Sequence, residues 1–115
     1  MATHIITIKT SHRNHDHPER SSLSLSDHGK TKVKPSDTVV WVNQNAKIDS
    51  FLVLFTDWKR IRLFNAAPAP LVSFSGQKWK VRIDPDALPG TAYEYTICWV
   101  QDGQVYAYDP KIQVN

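Results

Sequence analysis

The sequence predicts an all-β domain: a two-sheet β-sandwich or barrel of seven or eight strands, with at most one short helix. Two observations lead there. Apolar and polar residues alternate over short runs, the period of a strand with one buried face. Pro, Gly, Asn and Asp separate the runs and favour turns. The 115 residues make one domain, 1–115. A chain of that length buries about two thirds of its unfolded surface, so it needs neither metal nor disulfide to fold.

The first predicted strand is His4 to Lys9, "HIITIK". A polar stretch, "TSHRNHDHPER", follows and reads as a loop. "SLSLS", from Ser22 to Ser26, alternates cleanly and puts Leu23 and Leu25 on one face. "KTKVKPSD" is a turn or strand edge, whose Lys30, Lys32 and Lys34 discourage edge-to-edge pairing. "TVVWVN", Thr38 to Asn43, is rich in β-branched residues and predicts a strong strand. "SFLVLFT", Ser50 to Thr56, is nearly all apolar and suits a central strand. Asp57 to Ala67, "DWKRIRLFNAA", is the one segment with a helical pattern, with Trp58 and Ile61 inward, and Pro68 and Pro70 stop it. "QKWKVRI", Gln77 to Ile83, alternates Trp79, Val81 and Ile83 with Lys78, Lys80 and Arg82. Ala92 to Val100 and Val105 to Val114 complete the set.

The totals restrict function. A formal net charge of +3 is mild and does not predict nucleic-acid binding. A single cysteine, Cys98, excludes an internal disulfide. No apolar run approaches the roughly 20 residues of a membrane span. The start, "MATHIITIKTSHRNH", lacks a cationic region followed by an apolar run of about 7–15 residues. With Met1 as the native start, the expectation is a cytoplasmic protein.

Two segments carry a family resemblance. "VKPSDTVVWVN", Val33 to Asn43, resembles the signature strand of the cupredoxin family. "LPGTAYEYTICWV", Leu88 to Val100, resembles the family strand in which Gly-x-Tyr-x-Tyr leads to a copper-ligating cysteine. "DPKIQV", Asp109 to Val114, looks like its last strand. The resemblance covers about the last two thirds of the chain and implies a Greek-key sandwich. An immunoglobulin-like or fibronectin-type sandwich is the alternative fold.

In that family two His, a Cys thiolate and a weak axial ligand hold type 1 copper at one pole. This chain departs from the pattern. The first His position falls near Asp49, and no His follows His28. The second His, counted from Cys98, falls on Gln101. The only Met is Met1. The parity of the strand also differs. Tyr93, Tyr95, Ile97 and Trp99 share one face, so Ile97 occupies the ligand-cysteine position and Cys98 points to the other side. Cys98 is therefore expected to be a small, half-buried residue and not a ligand.

Other segments carry chemistry of their own. "SHRNHDH" places His12, His15 and His17 together, and imidazoles at that spacing can chelate Cu²⁺, Ni²⁺ or Zn²⁺ weakly. A solvated polar loop is the simpler account of the same residues. Removal of Met1 would make Ala2-Thr3-His4 a square-planar chelate. "DWKRIR" sets Lys59, Arg60 and Arg62 beside Trp58, more consistent with a solvated face than a nucleic-acid stripe. There is no catalytic motif: Gly29, Gly76, Gly90 and Gly103 all read as turns.

The expectation is a non-catalytic, cupredoxin-like binding domain without type 1 copper and without a required cofactor, whose partner is another protein or a small ligand. The resemblance puts the contact surface at the pole, with Asp49, Trp99, Gln101 and Asp102 as candidates. The alternative is a metal-binding protein that uses His12, His15 and His17.

Overall fold

Ile6 and Ile8 turn inward while Ile5, Thr7 and Lys9 alternate against them, and this pattern opens the first strand of the computed structural model. The structure describes residues 1–55, 63–64, 69–70 and 78–115. The strands in chain order are β1 (Thr3–His12), β2 (Ser22–Leu25), β3 (Lys30–Val33), β4 (Thr38–Asn43), β5 (Ser50–Leu54), β6 (Ala69–Pro70), β7 (Lys78–Arg82), β8 (Ala92–Glu94), β9 (Thr96–Gln101), β10 (Gln104–Tyr108) and β11 (Lys111–Val114). Among the described residues the one helical element is a single 3₁₀ turn, Pro18–Arg20.

The strands form three sheets. One runs β2-β1-β4-β7-β6, a second β10-β9-β5 and a third β3-β11-β8. Most pairs are antiparallel, but β1 lies parallel to β4 and β3 parallel to β11. The result is an all-β, sandwich-like fold. Among the described residues the strands fall into three hydrogen-bonded sheets and no closed barrel, where the sequence predicts two sheets or a barrel.

The reason lies in two interruptions. The predicted strand Ala92 to Val100 breaks at Tyr95, giving β8 and β9, and Val105 to Val114 breaks at Asp109-Pro110, giving β10 and β11. Pro110 has no N–H to offer the ladder. Its carbonyl oxygen still accepts from the Tyr95 N–H at 3.0 Å, which links the two small sheets at the break.

The core is filled by the inward parity of these strands. Trp41, Trp99, Tyr106, Ile97, Ile112 and Val39 are all buried. Within it the Trp41 indole N–H donates to the Tyr95 hydroxyl at 2.9 Å, so neither polar group is left unpaired by burial. That burial pushes the Tyr95 phenol far above its ordinary range.

Further expectations are adjusted. β1 runs past Lys9 to His12, because β2 pairs with its far end. Pro70, read as a helix stop, lies in β6, a two-residue edge strand where a missing N–H is tolerated. Of the expected helix Asp57 to Ala67, only Leu63 and Phe64 are described. Phe64 makes an antiparallel bridge to Ile83, so the chain is extended there. Trp58, Lys59, Arg60, Ile61 and Arg62 lie outside the described residues, as does Gly76. The lysine-marked segment becomes β3, an edge strand with Lys30 and Lys32 exposed.

No helix among the described residues is long and apolar enough to cross a membrane.

Candidate functional site

One end of the molecule gathers three chain segments: the far end of β1, the β4–β5 loop and the β9–β10 turn. Each is shaped by its own sequence. Opposite β2, the β1 register shifts between Ile8 and Ser11, so one extra residue bulges out. Bulges re-aim side chains. Here Lys9 and Thr10 are both exposed, and Ser11 turns back toward the interior.

The β4–β5 loop is folded by its asparagines. Asn43 Oδ1 accepts from the Asn45 N–H at 2.9 Å, and Asn45 Oδ1 accepts from the Lys47 N–H at 2.9 Å. Asn side chains capping their own backbone two residues on are what make such turns tight. Ile48 anchors the loop in the core, and the Asp49 N–H donates to the Val100 carbonyl at 2.9 Å.

The β9–β10 turn is Asp102-Gly103, with φ of 52° and 75°. Positive φ at both central residues is the hairpin geometry that an Asp-Gly pair adopts most easily. It carries Asp102 out to the rim, where its Oδ2 meets Arg13 Nη1 at 2.5 Å. That carboxylate raises the Arg13 guanidinium above its ordinary value. The same guanidinium lies 5.9 Å from the centre of the Tyr106 ring.

Between these segments lies an open groove of about 390 Å³, lined by Lys9, Thr10, Ser11, Arg13, residues 44–47 and Gln101. Gln101 forms its floor. Only 2% of Gln101 is exposed, and its Oε1 accepts from Ser11 Oγ at 2.8 Å and from Trp99 Nε1 at 3.3 Å. An indole N–H can only donate, so the oxygen must face Trp99 and the amide nitrogen must face away.

The expected contact residues therefore separate. Asp49 and Asp102 are exposed at this pole. Gln101 reaches the groove from below. Trp99 does not belong to the surface: it is 1% exposed and stacks on Tyr106 at 5.7 Å, because its parity is that of Ile97. The sequence reading missed Lys9, Ser11 and Arg13. Arg13 sat inside "SHRNHDH", where the histidines drew attention, and the bulge has no signal in a polar run.

The three histidines turn to different partners. His12, at the end of β1, lies 3.2 Å from Ser24 Oγ. His15 Nδ1 lies 3.2 Å from the Tyr106 hydroxyl, with its ring edge-on to Tyr106. His17 Nδ1 lies 3.5 Å from Glu19. Among the described residues no three His, Cys, Asp or Glu stand where they could hold a metal ion together. The segment also holds hydrogen bonds of its own, although His15, Asp16 and His17 are exposed. Asn14 Oδ1 accepts from the Asp16 and His17 N–H groups, and buried Ser21 accepts from the Asn14 N–H.

Cys98 sits half-buried on the outer face of β9, between Leu52 on β5 and Ala107 on β10. Burial, and then the charge of Asp109, pushes its thiol up. Ile97 is fully buried on the opposite face.

At the far end of the molecule, Asp37 is buried and accepts from the Ala2 N–H at 2.8 Å and the Lys34 N–H at 2.9 Å, with His4 Nε2 at 2.7 Å. Burial pushes this carboxyl up, but the bonds from Ala2, His4 and Lys34 outweigh it and hold the carboxyl at about 2. Of the Ala2-Thr3-His4 chelate, the Ala2 N–H and the His4 ring are thus turned toward Asp37.

No family model matches the chain, and no curated protein matches it. Among solved structures, a cysteine protease inhibitor from Entamoeba histolytica is similar. It has a TM-score of 0.51 and 10% identity, over 100% of this chain and 97% of that one. At that identity the likeness concerns the fold.

Proposed function

We propose that this chain is a non-catalytic binding domain, a cupredoxin-like sandwich without a type 1 copper site, that engages a partner protein through the pole of residues 9–13, 44–47 and 101–103. One observation supports this most: three separate segments, each fixed by its own turn or bulge, converge around one groove. Binding surfaces are commonly loops positioned by a rigid scaffold. Cationic Lys9, Arg13 and Lys47 line the groove, and among the described residues no acidic one does. The copper-free part of the reading is supported by Ile97 at the expected ligand position and by Cys98 on the outer face. The inhibitor with a similar fold acts, by its name, on a protein. A sandwich of this kind is therefore compatible with a protein partner.

Affinity capture with paired variants tests the proposal. A partner bound by wild type and by Lys32→Glu, at the other end, should be lost from Gln44→Glu/Lys47→Glu. A partner retained by the double variant as well as by wild type would overturn the assignment of the pole.

A further inference from the structure

Gln101 combines two properties that seldom occur together. It is 2% exposed, and its amide –NH₂ donates to no residue of the chain among those described, although it lines the groove. Among the described residues no buried side-chain nitrogen or oxygen lacks a hydrogen bond, so this nitrogen is reached by solvent and open to a ligand. Its carbonyl oxygen already accepts two bonds, from Ser11 and from Trp99, which fixes the orientation of the amide. What remains toward the groove is a pair of N–H donors on a side chain that cannot swing away.

The walls offer the same chemistry. Lys9, Arg13 and Lys47 supply positive donors, and Arg13 already holds one carboxylate, that of Asp102. Asp102 is well exposed, with 73% of its side chain accessible. An exposed ion pair of this kind contributes little stability, so an arriving carboxylate can share or replace it. Floor and walls together present donors and positive charge to whatever enters.

We infer that the groove recognises a carboxylate on an acidic segment of the partner protein, with Gln101 Nε2 donating at the floor and Arg13, Lys9 and Lys47 at the walls. This rests on the proposed function above and names the chemistry of that same site. Charge-assisted bonds to a carboxylate are short and strong, and because Lys9 and Lys47 are exposed their share of the binding falls as salt rises.

The test is a titration of ¹⁵N-labelled protein followed by NMR, reading the Gln101 side-chain amide and the Arg13 side-chain N–H. The ligands are an acetylated, amidated tetra-glutamate, its tetra-lysine counterpart, succinate and inorganic phosphate. Tetra-glutamate should shift both signals saturably, and tetra-lysine should shift neither. Succinate should move the same signals at least about tenfold more weakly, because it brings two carboxylates to the floor and walls where the peptide brings four. Equal or tighter succinate binding would make the ligand a free small carboxylate, and equal or tighter phosphate binding would remove the preference for carboxylate. Either would overturn the inference.

Gln101→Glu keeps the bonds from Ser11 and Trp99 but turns an anion toward the groove, and should weaken tetra-glutamate binding by about tenfold or more. If that variant does not fold, Lys9→Gln/Lys47→Gln, both exposed, serves in its place and should weaken binding similarly. Unchanged affinity in the variant that folds would overturn the inference. So would an absence of tetra-glutamate binding while the pole variant still loses its partner, a result that leaves the proposed function standing.

Discussion

Ile97 and Cys98 are neighbours in the chain with opposite surroundings. Ile97 is fully buried between Val53 on β5 and Tyr108 on β10, while Cys98 looks outward between Leu52 and Ala107. Removing buried methyl and methylene groups leaves a cavity that the packed core cannot close. Ile97→Ala is therefore expected to cost about 2–5 kcal/mol in denaturant unfolding. Leu52→Ala, on the exposed side of the same sheet, should stay within about 1 kcal/mol, close to the range of surface changes. This parity was legible in the sequence, because Tyr93, Tyr95, Ile97 and Trp99 alternate with smaller or polar residues. The position of Trp99 was legible by the same rule, and its assignment to the pole surface went against its parity. The role of Gln101 was not legible. It depends on Ser11, ninety positions away in the chain, and on the orientation of one indole N–H.

The turn between β3 and β4 sets two expectations for an element. Lys34-Pro35-Ser36-Asp37 closes with the Asp37 N–H donating to the Lys34 carbonyl at 3.1 Å, and Ser36 has a φ of 72°. Proline second and a positive φ third is type II turn geometry, which favours glycine at the third position. Ser36→Gly should raise stability by up to about 1 kcal/mol, measured by thermal or urea unfolding.

Asp37 gives the turn a pH dependence. Its carboxyl is held at about 2 in the fold, below the ordinary value of 3.8. The unfolded chain therefore takes up this proton first, and acid favours unfolding. The contribution is complete above about pH 4 and is lost as the pH falls through about 2. Melting temperature against pH should fall across that window in wild type, and Asp37→Asn should flatten the fall. The β1–β2 loop carries a separate expectation. Because His12, His15 and His17 have different partners, Zn²⁺ titration calorimetry should give the same weak heats for wild type and for the triple alanine variant.

At the scale of the molecule, the strands were legible and their partition into sheets was not. Alternation located β2 and β7, β-branched residues β4 and an apolar run β5, each to within a residue or two, but the apolar run suggested a central strand and β5 is the edge strand of its sheet among the described residues. Nothing local records that β1 and β4 run parallel, or that β3 leaves the sheet of β2 to join β11. Such pairings follow from the packing of distant faces. The pole was legible in part. Its Asn-rich loop and Asp-Gly turn are sequence signals, whereas the bulge that brings Lys9 and Ser11 to the same groove is visible only in the paired strands.

The place of β11 has a consequence for the order in which the molecule can be made. Lys111–Val114 is the middle strand of its sheet, with β3 on one side and β8 on the other. A ribosome delivers β3 long before their shared partner, and β8 shortly before it. Until β11 emerges, neither β3 nor β8 has a partner strand among the described residues, so that sheet cannot assemble as the chain is made. Nascent chains stalled before residue 111 is extruded should be cleaved readily by protease across residues 30–33 and 92–94. Chains stalled after residue 114 is clear of the exit tunnel should resist at both places together, since one strand protects the two.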